Sequence, residues 1–384
     1  MENNKFITCL ADIPEKQTCI IYGAGKGAQN LYSLISLYRK DIKIIGFLDT
    51  FQSGELKGLP ITKFQDYYSE QKNIAILIAT EFWYEVESLL LEKACTNYLK
   101  IPLRFLFDKT LNEIKLQSDK TPPKYNTFIN LCFNGQENDS ITKKLNRVER
   151  LLTHIEDKKL YQLLTRQNLT QQECITAIVD NYFSKKPSKQ YLDFINPTKI
   201  KTMIDGGVYD GKETVDFFEV FSSDLTVYGF EPNTDILLNS PYFKKLQQSN
   251  FIHIKKGLWQ ENKQLYFDVC GSSSHISYAQ DKDNLFSIDV TSIDDFVKKM
   301  DIKKIDFIKL DIEGAELESL HGAINIITTH RPQLAICIYH KQSDFYEIPL
   351  YLDSILNNYH FRLGHYTAWA YETVWYAIPN ELKN

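Results

Sequence analysis

The run Met203-Ile204-Asp205-Gly206-Gly207-Val208-Tyr209-Asp210-Gly211 allows few structures. An apolar strand breaks into a glycine-rich turn and a helical pattern follows, and the next apolar run ends in Tyr228-Gly229-Phe230-Glu231-Pro232-Asn233, so an acid stands about 20 residues past the turn. Strand, turn, helix and strand-end acid predict a βαβ unit whose crevice grips a nucleoside. Gly206 and Gly207 let the backbone turn sharply and approach a ligand closely. Asp205 falls at the carboxyl end of the first strand, where open α/β sheets bind ligands. Glu231 can accept both hydroxyl protons of a ribose through charge-assisted bonds. Asp210, Gly211, Thr214, Pro232 and Asn233 flank these positions and are counted with them as cofactor-binding candidates. Singly, Asp205 reads as a helix cap and Glu231 as a solvated strand end; their joint placement favours a ligand.

The turn carries acids and lacks the Gly-Lys-Ser/Thr of a phosphate loop, so it would repel a triphosphate. A cationic nucleoside suits it, and S-adenosylmethionine meets both demands. Farther on, Ile305 to Asp311 reads as a strand and Ile312-Glu313-Gly314-Ala315-Glu316 as the start of a helix. Leu334 to Tyr339 is another strand, ending in His340-Lys341. Lys309, Asp311, Glu313 and His340 should therefore converge beside the nucleoside turn.

At these residues the chain resembles the FkbM family of S-adenosylmethionine-dependent methyltransferases, through Asp205 to Gly211, Phe230-Glu231-Pro232-Asn233, Thr291-Ser292-Ile293-Asp294-Asp295-Phe296 and Ile308 to Glu316. The resemblance covers roughly residues 190 to 384. Relatives commonly read Asp-x-Gly-Ala-Asn-x-Gly, where this chain has Val208 and Tyr209 after Gly207; both glycines and the acid are kept. The resemblance implies O-methylation of a hydroxyl, often on a sugar or a polyketide. A positioned base then matters, and Asp311 is the first candidate and His340 the second, with Glu313 and Lys309 placing or polarising the acceptor. Helix capping by Asp311 and Glu313 is the competing reading. Asp311, Glu313 and His340 are also donors a divalent ion accepts, yet no Cys or His spacing is characteristic of zinc, so no obligatory metal is expected.

Nearer the amino terminus, Thr18 to Tyr22 is a buried-type strand, Gly23-Ala24-Gly25-Lys26-Gly27-Ala28 fits Gly-x-Gly-x-x-Ala, and Ile44 to Asp49 supplies a strand ending in an acid. Gly23, Gly25 and Asp49 are candidates for a second nucleotide site. The continuation Phe51 to Ile61 resembles the amino-terminal Rossmann-like module of bacterial sugar-modifying enzymes, which implies a bound nucleotide or nucleotide sugar. Asn73 to Thr80 and Ile101 to Phe107 read as further strands, and Val86 to Ala94 as a helix.

A chain of 384 residues exceeds the size at which single cores stop growing. The expected plan is α/β throughout: a smaller Rossmann-like domain over 1–110, a mainly helical connector over 111–190, and a class I methyltransferase fold over 191–384. In the connector Leu145, Val148, Leu151, Leu152, Ile155, Leu160, Leu163 and Leu164 recur at helical spacing. His360 to Tyr366 and Thr373 to Ile378 should pair as an antiparallel hairpin closing a mostly parallel sheet. His365 at its mouth, and Tyr339, Tyr366 and Tyr371 nearby, are further candidates to meet the acceptor.

Net charge is −5, and no long basic run invites nucleic acid. The seven cysteines form no Cys-x-x-Cys pair and read as small hydrophobes of a reducing compartment. With neither a signal-peptide pattern nor an 18-residue apolar segment, a cytoplasmic protein without a membrane span is expected. A homo-oligomer is left open. Two rivals to methyl transfer remain: a dehydrogenase or epimerase led by the Gly23 turn, which lacks a Tyr-x-x-x-Lys, and a nucleotide-sugar-binding protein without catalysis.

Overall fold

The computed structural model describes residues 10–67, 73–80, 83–101, 139–165, 189–268, 275–276, 285–367 and 372–382. The chain divides into two compact units, the described residues up to Ile101 forming the first and those from Asp139 onward the second.

The first unit is built on six strands: β1 (Thr18–Tyr22), β2 (Lys43–Asp49), β3 (Gly54–Leu56), β4 (Leu59–Lys63), β5 (Ile74–Ile78) and β6 (Tyr98–Lys100). Their order is β3-β4-β2-β1-β5-β6, with only the β3/β4 pair antiparallel. The apolar runs of β1 and β5 are buried because a parallel sheet is covered on its faces. The helix Lys26–Tyr38 turns Ala28, Leu31, Leu34 and Ile35 into the core against Cys19, Ile21, Phe47 and Leu77. The final strand begins earlier than the sequence suggested, at Tyr98, because Tyr98 and Lys100 both bond Glu87 of the helix Trp83–Glu92; residues 102–107 lie outside the described ones.

In the second unit seven strands form the main sheet: β7 (Thr202–Gly206), β8 (Thr226–Phe230), β9 (Phe251–Ile254), β14 (Phe307–Leu310), β15 (Gln333–Cys337), β16 (Tyr359–His365) and β17 (Thr373–Pro379). Between β9 and β14, four short strands form a side sheet: β10 (Gly257–Leu258), β11 (Lys263–Asp268), β12 (His275–Ile276) and β13 (Leu285–Thr291). The main order is β16-β17-β15-β14-β7-β8-β9, parallel from β15 to β9 and closed by the antiparallel β16/β17 hairpin. From β7 the chain first builds outward through β8 and β9 and then returns to β14 on the other side. The strand order therefore switches between β7 and β14, and ligands of such sheets bind at the carboxyl ends there.

The helical segment packs on this second unit. Its helices are Asp139–Leu151 and Ile155–Thr165, with Leu145, Val148, Leu160, Tyr161 and Leu164 buried. Asp157 is gripped by Arg362 Nε at 2.6 Å and accepts the Leu363 amide at 3.2 Å, while Tyr161 Oη donates to Phe345 O at 2.9 Å. Ile155 departs from the expected apolar stripe: it is 62% exposed, because the break between the helices resets the phase of the buried face. Among the described residues no helix is long and apolar enough to cross a membrane.

Candidate functional site

The glycine turn leaves β7 under tight steric control. Gly207 has φ +83°, and a Cβ there would stand 1.8 Å from Asp311 O, so only glycine lets the turn lie against the end of β14. Gly211, also at φ +83°, is the N-cap of the helix Lys212–Val220, and Asp210 Oδ1 accepts the Lys212 amide at 3.0 Å.

Beneath the turn sits a buried ion pair that reassigns three of the candidates. Lys309 Nζ lies 3.0 Å from Asp205 Oδ1 and donates to Gly206 O at 3.1 Å and to Gly207 O at 2.6 Å. Thr214 Oγ1 donates to Asp205 Oδ2 at 2.6 Å, and the ring of Tyr191 lies 5.2 Å from the ammonium. Burial opposes the charge on Lys309, but Asp205 and then Asp311 hold its pKa above the ordinary lysine value. Asp205, Thr214 and Lys309 thus spend their polar groups on one another and on the turn. Expected to face ligand or acceptor, they instead set the turn's shape, because a buried charge must be paired.

Glu231 stands at the end of β8 with each carboxylate oxygen taking one backbone amide, Oε2 that of Tyr209 at 2.9 Å and Oε1 that of Asn233 at 2.8 Å. Burial raises its pKa, and those two amides oppose the rise. The carboxylate is oriented by the turn on one side and by Pro232-Asn233 on the other, and each oxygen keeps a lone pair for a further donor. Asn233 is the N-cap of the short helix Thr234–Leu238.

Across the switch point, Asp311 lies between two phenols. Tyr191 Oη donates to its Oδ2 at 2.7 Å and Tyr339 Oη to its Oδ1 at 3.1 Å. Burial raises the pKa of both tyrosines well above the usual phenol value, with Asp311 the next cause, so they remain donors. For Asp311 burial works against ionisation, but His340 and Lys309 prevail and hold its pKa below the ordinary aspartate value. His340 Nε2 is 3.4 Å from Asp311 Oδ1 and 3.6 Å from Glu313 Oε2, and its Nδ1 is 2.9 Å from Glu316 Oε1. Burial disfavours the imidazolium, yet Glu316, then Asp311 and Glu313, raise the pKa to about 10. An imidazole charged at neutral pH is a cation and not a base, which removes His340 from the role of proton acceptor in this state. Glu313, with its side chain 41% exposed and φ at +56°, is pushed up to about 7, chiefly by burial.

Glu316, Tyr191 and Glu372 were not singled out in the sequence. Glu316 is fully buried and accepts the Ile312 amide at 2.8 Å; Glu372 accepts from Tyr339 at 3.3 Å and from Gln190. A carboxylate four residues beyond the strand-end turn was the available signal for Glu316; nothing local marked Tyr191, which lies 120 residues from its partner. His365 stands at the loop end of the hairpin, but it is buried there, with Nδ1 2.9 Å from Thr373 Oγ1 across the β16/β17 pair. Tyr366 is spent on Tyr376, hydroxyl to hydroxyl at 2.6 Å. Tyr371 lies outside the described residues.

In the first unit Gly23 has φ +108° and its amide donates to Leu48 O at 2.7 Å. Asp49 accepts from Ala24 N at 3.1 Å, Phe51 N at 2.9 Å and Gln52 N at 3.1 Å. Its carboxylate fastens the two turns that flank it, so less of it is left for a ribose than its strand-end position suggested. Gly25 opens the helix Lys26–Tyr38, and a Cβ there would meet nothing within 4 Å.

Residues 205–363 match the family model described as the methyltransferase FkbM domain. In fold, the chain is similar to a methyltransferase FkbM from Methylobacillus flagellatus KT, at 19% identity and TM-score 0.58 over 96% of this chain and 92% of that one. Fainter likenesses are to a precorrin-6y C5,15-methyltransferase from Geobacter metallireducens (9% identity, TM-score 0.29, 56% of this chain and 92% of that one) and to Aeropyrum pernix fibrillarin with bound S-adenosyl-L-methionine (9%, 0.30, 48% and 69%). Neither is close enough to carry an argument. No curated protein matches the sequence.

Proposed function

We propose, from the match of residues 205–363 to the methyltransferase FkbM domain and the shared fold, that the protein is an S-adenosylmethionine-dependent methyltransferase that transfers a methyl group to a hydroxyl of a sugar, nucleotide sugar or glycan. The observation that carries this reading is Asp311: an ionised carboxylate, steadied by two phenols, at the end of the strand that touches the Gly207 turn.

In this reading Glu231 accepts the ribose hydroxyls of the cofactor, with Tyr209 and Asn233 amides fixing its direction. Gly206, Gly207, Asp210, Gly211 and Pro232 shape the walls, while Asp205, Thr214 and Lys309 keep the turn in place from behind. The acceptor oxygen attacks the methyl carbon in line with the carbon–sulfur bond, the bonding pair leaves on sulfur as the neutral thioether, and the hydroxyl proton passes to Asp311. Alignment supplies more than basicity here, because effective molarities can contribute about 7–11 kcal/mol while a general base typically contributes 10²–10⁴-fold. The cationic His340 weakens Asp311 as a base but keeps it unprotonated and ready. Glu313 stands at the exposed side, where an acceptor would enter.

Calorimetry with S-adenosylhomocysteine tests the reading. The wild type should bind it, Glu231→Ala should weaken binding at least tenfold, and Gly25→Val should leave it unchanged. Binding of NAD in place of the analogue would overturn methyl transfer. Asp311→Asn should lower turnover with little loss of analogue affinity, and full activity in that variant would remove Asp311 as the base. For the first unit, the open helix start at Gly25 favours a nucleotide or nucleotide-sugar ligand; calorimetry with a panel of sugar nucleotides should give binding that Gly25→Val abolishes.

A further inference from the structure

The surroundings of His340 are unusual in how its nitrogens meet the neighbouring acids. Nδ1 stands 2.9 Å from Glu316 Oε1 without forming an aligned hydrogen bond, and Nε2 stands 3.4 Å from Asp311 Oδ1, longer than the roughly 2.7–2.9 Å of a charge-assisted bond. Glu316 is wholly buried, and its second oxygen, Oε2, has no hydrogen-bond partner. A fully buried carboxylate oxygen without a partner, beside an imidazole and a second carboxylate, is an atom a cation can take as a ligand. Bonds of about 2.1 Å place adjacent ligand atoms roughly 3 Å apart.

We propose that Asp311, Glu316 and His340 bind one divalent cation, with Glu313 at its open side. Each of the three offers a ligand atom, and these atoms all lie within 4.8 Å of one another. The imidazole gives the ion one nitrogen and releases the proton it would otherwise carry there. The donors are oxygen and nitrogen only. No thiol is among the three, so the chemistry suits manganese or magnesium rather than a thiolate-bound metal. Charge points the same way. Asp311, Glu313, Glu316 and Glu372 act on one histidine, and Lys309, the lysine that acts on Asp311, is already committed to Asp205. The expectation of no obligatory metal rested on the absence of a zinc-like spacing, which is blind to a site assembled from two strand ends and a buried helix start. Within methyl transfer, the ion would take the acceptor oxygen as a further ligand and lower its pKa. Asp311 Oδ1 would serve the ion and Oδ2 the proton. Binding of the ion does not itself depend on the methyl-transfer reading.

Manganese(II) titration of the full chain, followed by electron paramagnetic resonance, tests the site. The wild type should remove one equivalent of free-ion signal, and its echo modulation should show an imidazole nitrogen coupled to the metal. Asp311→Asn, Glu316→Gln and His340→Gln should each weaken binding at least tenfold, whereas Glu372→Gln should change it less than threefold. Absence of saturable binding in the wild type, absence of the nitrogen coupling, or wild-type affinity in all three variants would overturn the proposal. Should a variant fail to fold, the nitrogen coupling in the wild type still decides. Homocysteine-analogue calorimetry run in parallel separates the two readings, because its failure would sink methyl transfer and leave the manganese result standing.

Discussion

Lys309 shows how a residue's type can be read correctly and its task misread. The sequence placed a lysine and an aspartate at neighbouring strand ends beside a glycine turn, and both could be expected to face a ligand. Burial decides otherwise, because the ammonium, Asp205, Thr214 and two turn carbonyls satisfy one another. Lys309→Met should therefore cost about 3–5 kcal/mol in urea unfolding, since removing one member of a buried pair strands the other; a loss under about 1 kcal/mol would mean the pair is not the turn's anchor. Asp344 offers a test by pH. It is buried, its pKa is raised from 3.8 to about 7 by burial and by Glu316, and it accepts the Lys341 amide at 2.9 Å. A carboxyl with a raised folded-state pKa stabilises fully below its unfolded value, and that contribution is lost as pH rises through the folded one. Asp344→Asn keeps the acceptor and stays neutral, so with chelator present it should melt with the wild type near pH 4 and progressively above it toward pH 7; parallel melting curves would refute the assignment. Glu231 and Asp311 were legible because strand-end acids are local features, whereas Tyr191 reaches Asp311 from 120 residues away.

At the scale of elements, the Thr291-Ser292-Ile293-Asp294-Asp295 segment supplied much of the family resemblance, yet in the structure it caps helices. Ser292 Oγ accepts the Asp295 amide at 3.1 Å and starts the helix Ile293–Lys299. Asp294 accepts Asn325 N at 3.1 Å and Ile326 N at 2.9 Å, tying that helix to the start of Ile324–His330. Asp294→Ala should lower stability by about 1–2 kcal/mol while leaving homocysteine-analogue affinity unchanged, and a matched loss of affinity would argue for a role in the site. Strands were the most readable elements, because buried parallel strands are nearly uninterrupted apolar runs and the closing hairpin has too short a loop for a crossover. Helix phase was less readable: Ile155 fits one continuous stripe in sequence, but the stripe breaks where two helices meet.

For the molecule as a whole, two α/β units were legible from length and from two glycine fingerprints, while the allegiance of the helical segment was not. Its ties to the second unit, Asp157 to Arg362 and Tyr161 to Phe345, join residues about 200 apart, beyond any local pattern. A fragment starting at residue 131 should therefore melt cooperatively, and one starting at residue 189 should melt at least about 5 °C lower; equal melting temperatures would show that these helices add nothing. The tie from Lys309 to Gly206 also orders events in time. The glycine turn proposed to hold the cofactor is fastened by a residue 103 positions later in the chain, so during synthesis the first half of the domain emerges with that turn unmoored. Under the proposed function, cofactor capture waits until β14 has left the ribosome and docked beside β7, so the site matures later than the strand that carries its glycine turn.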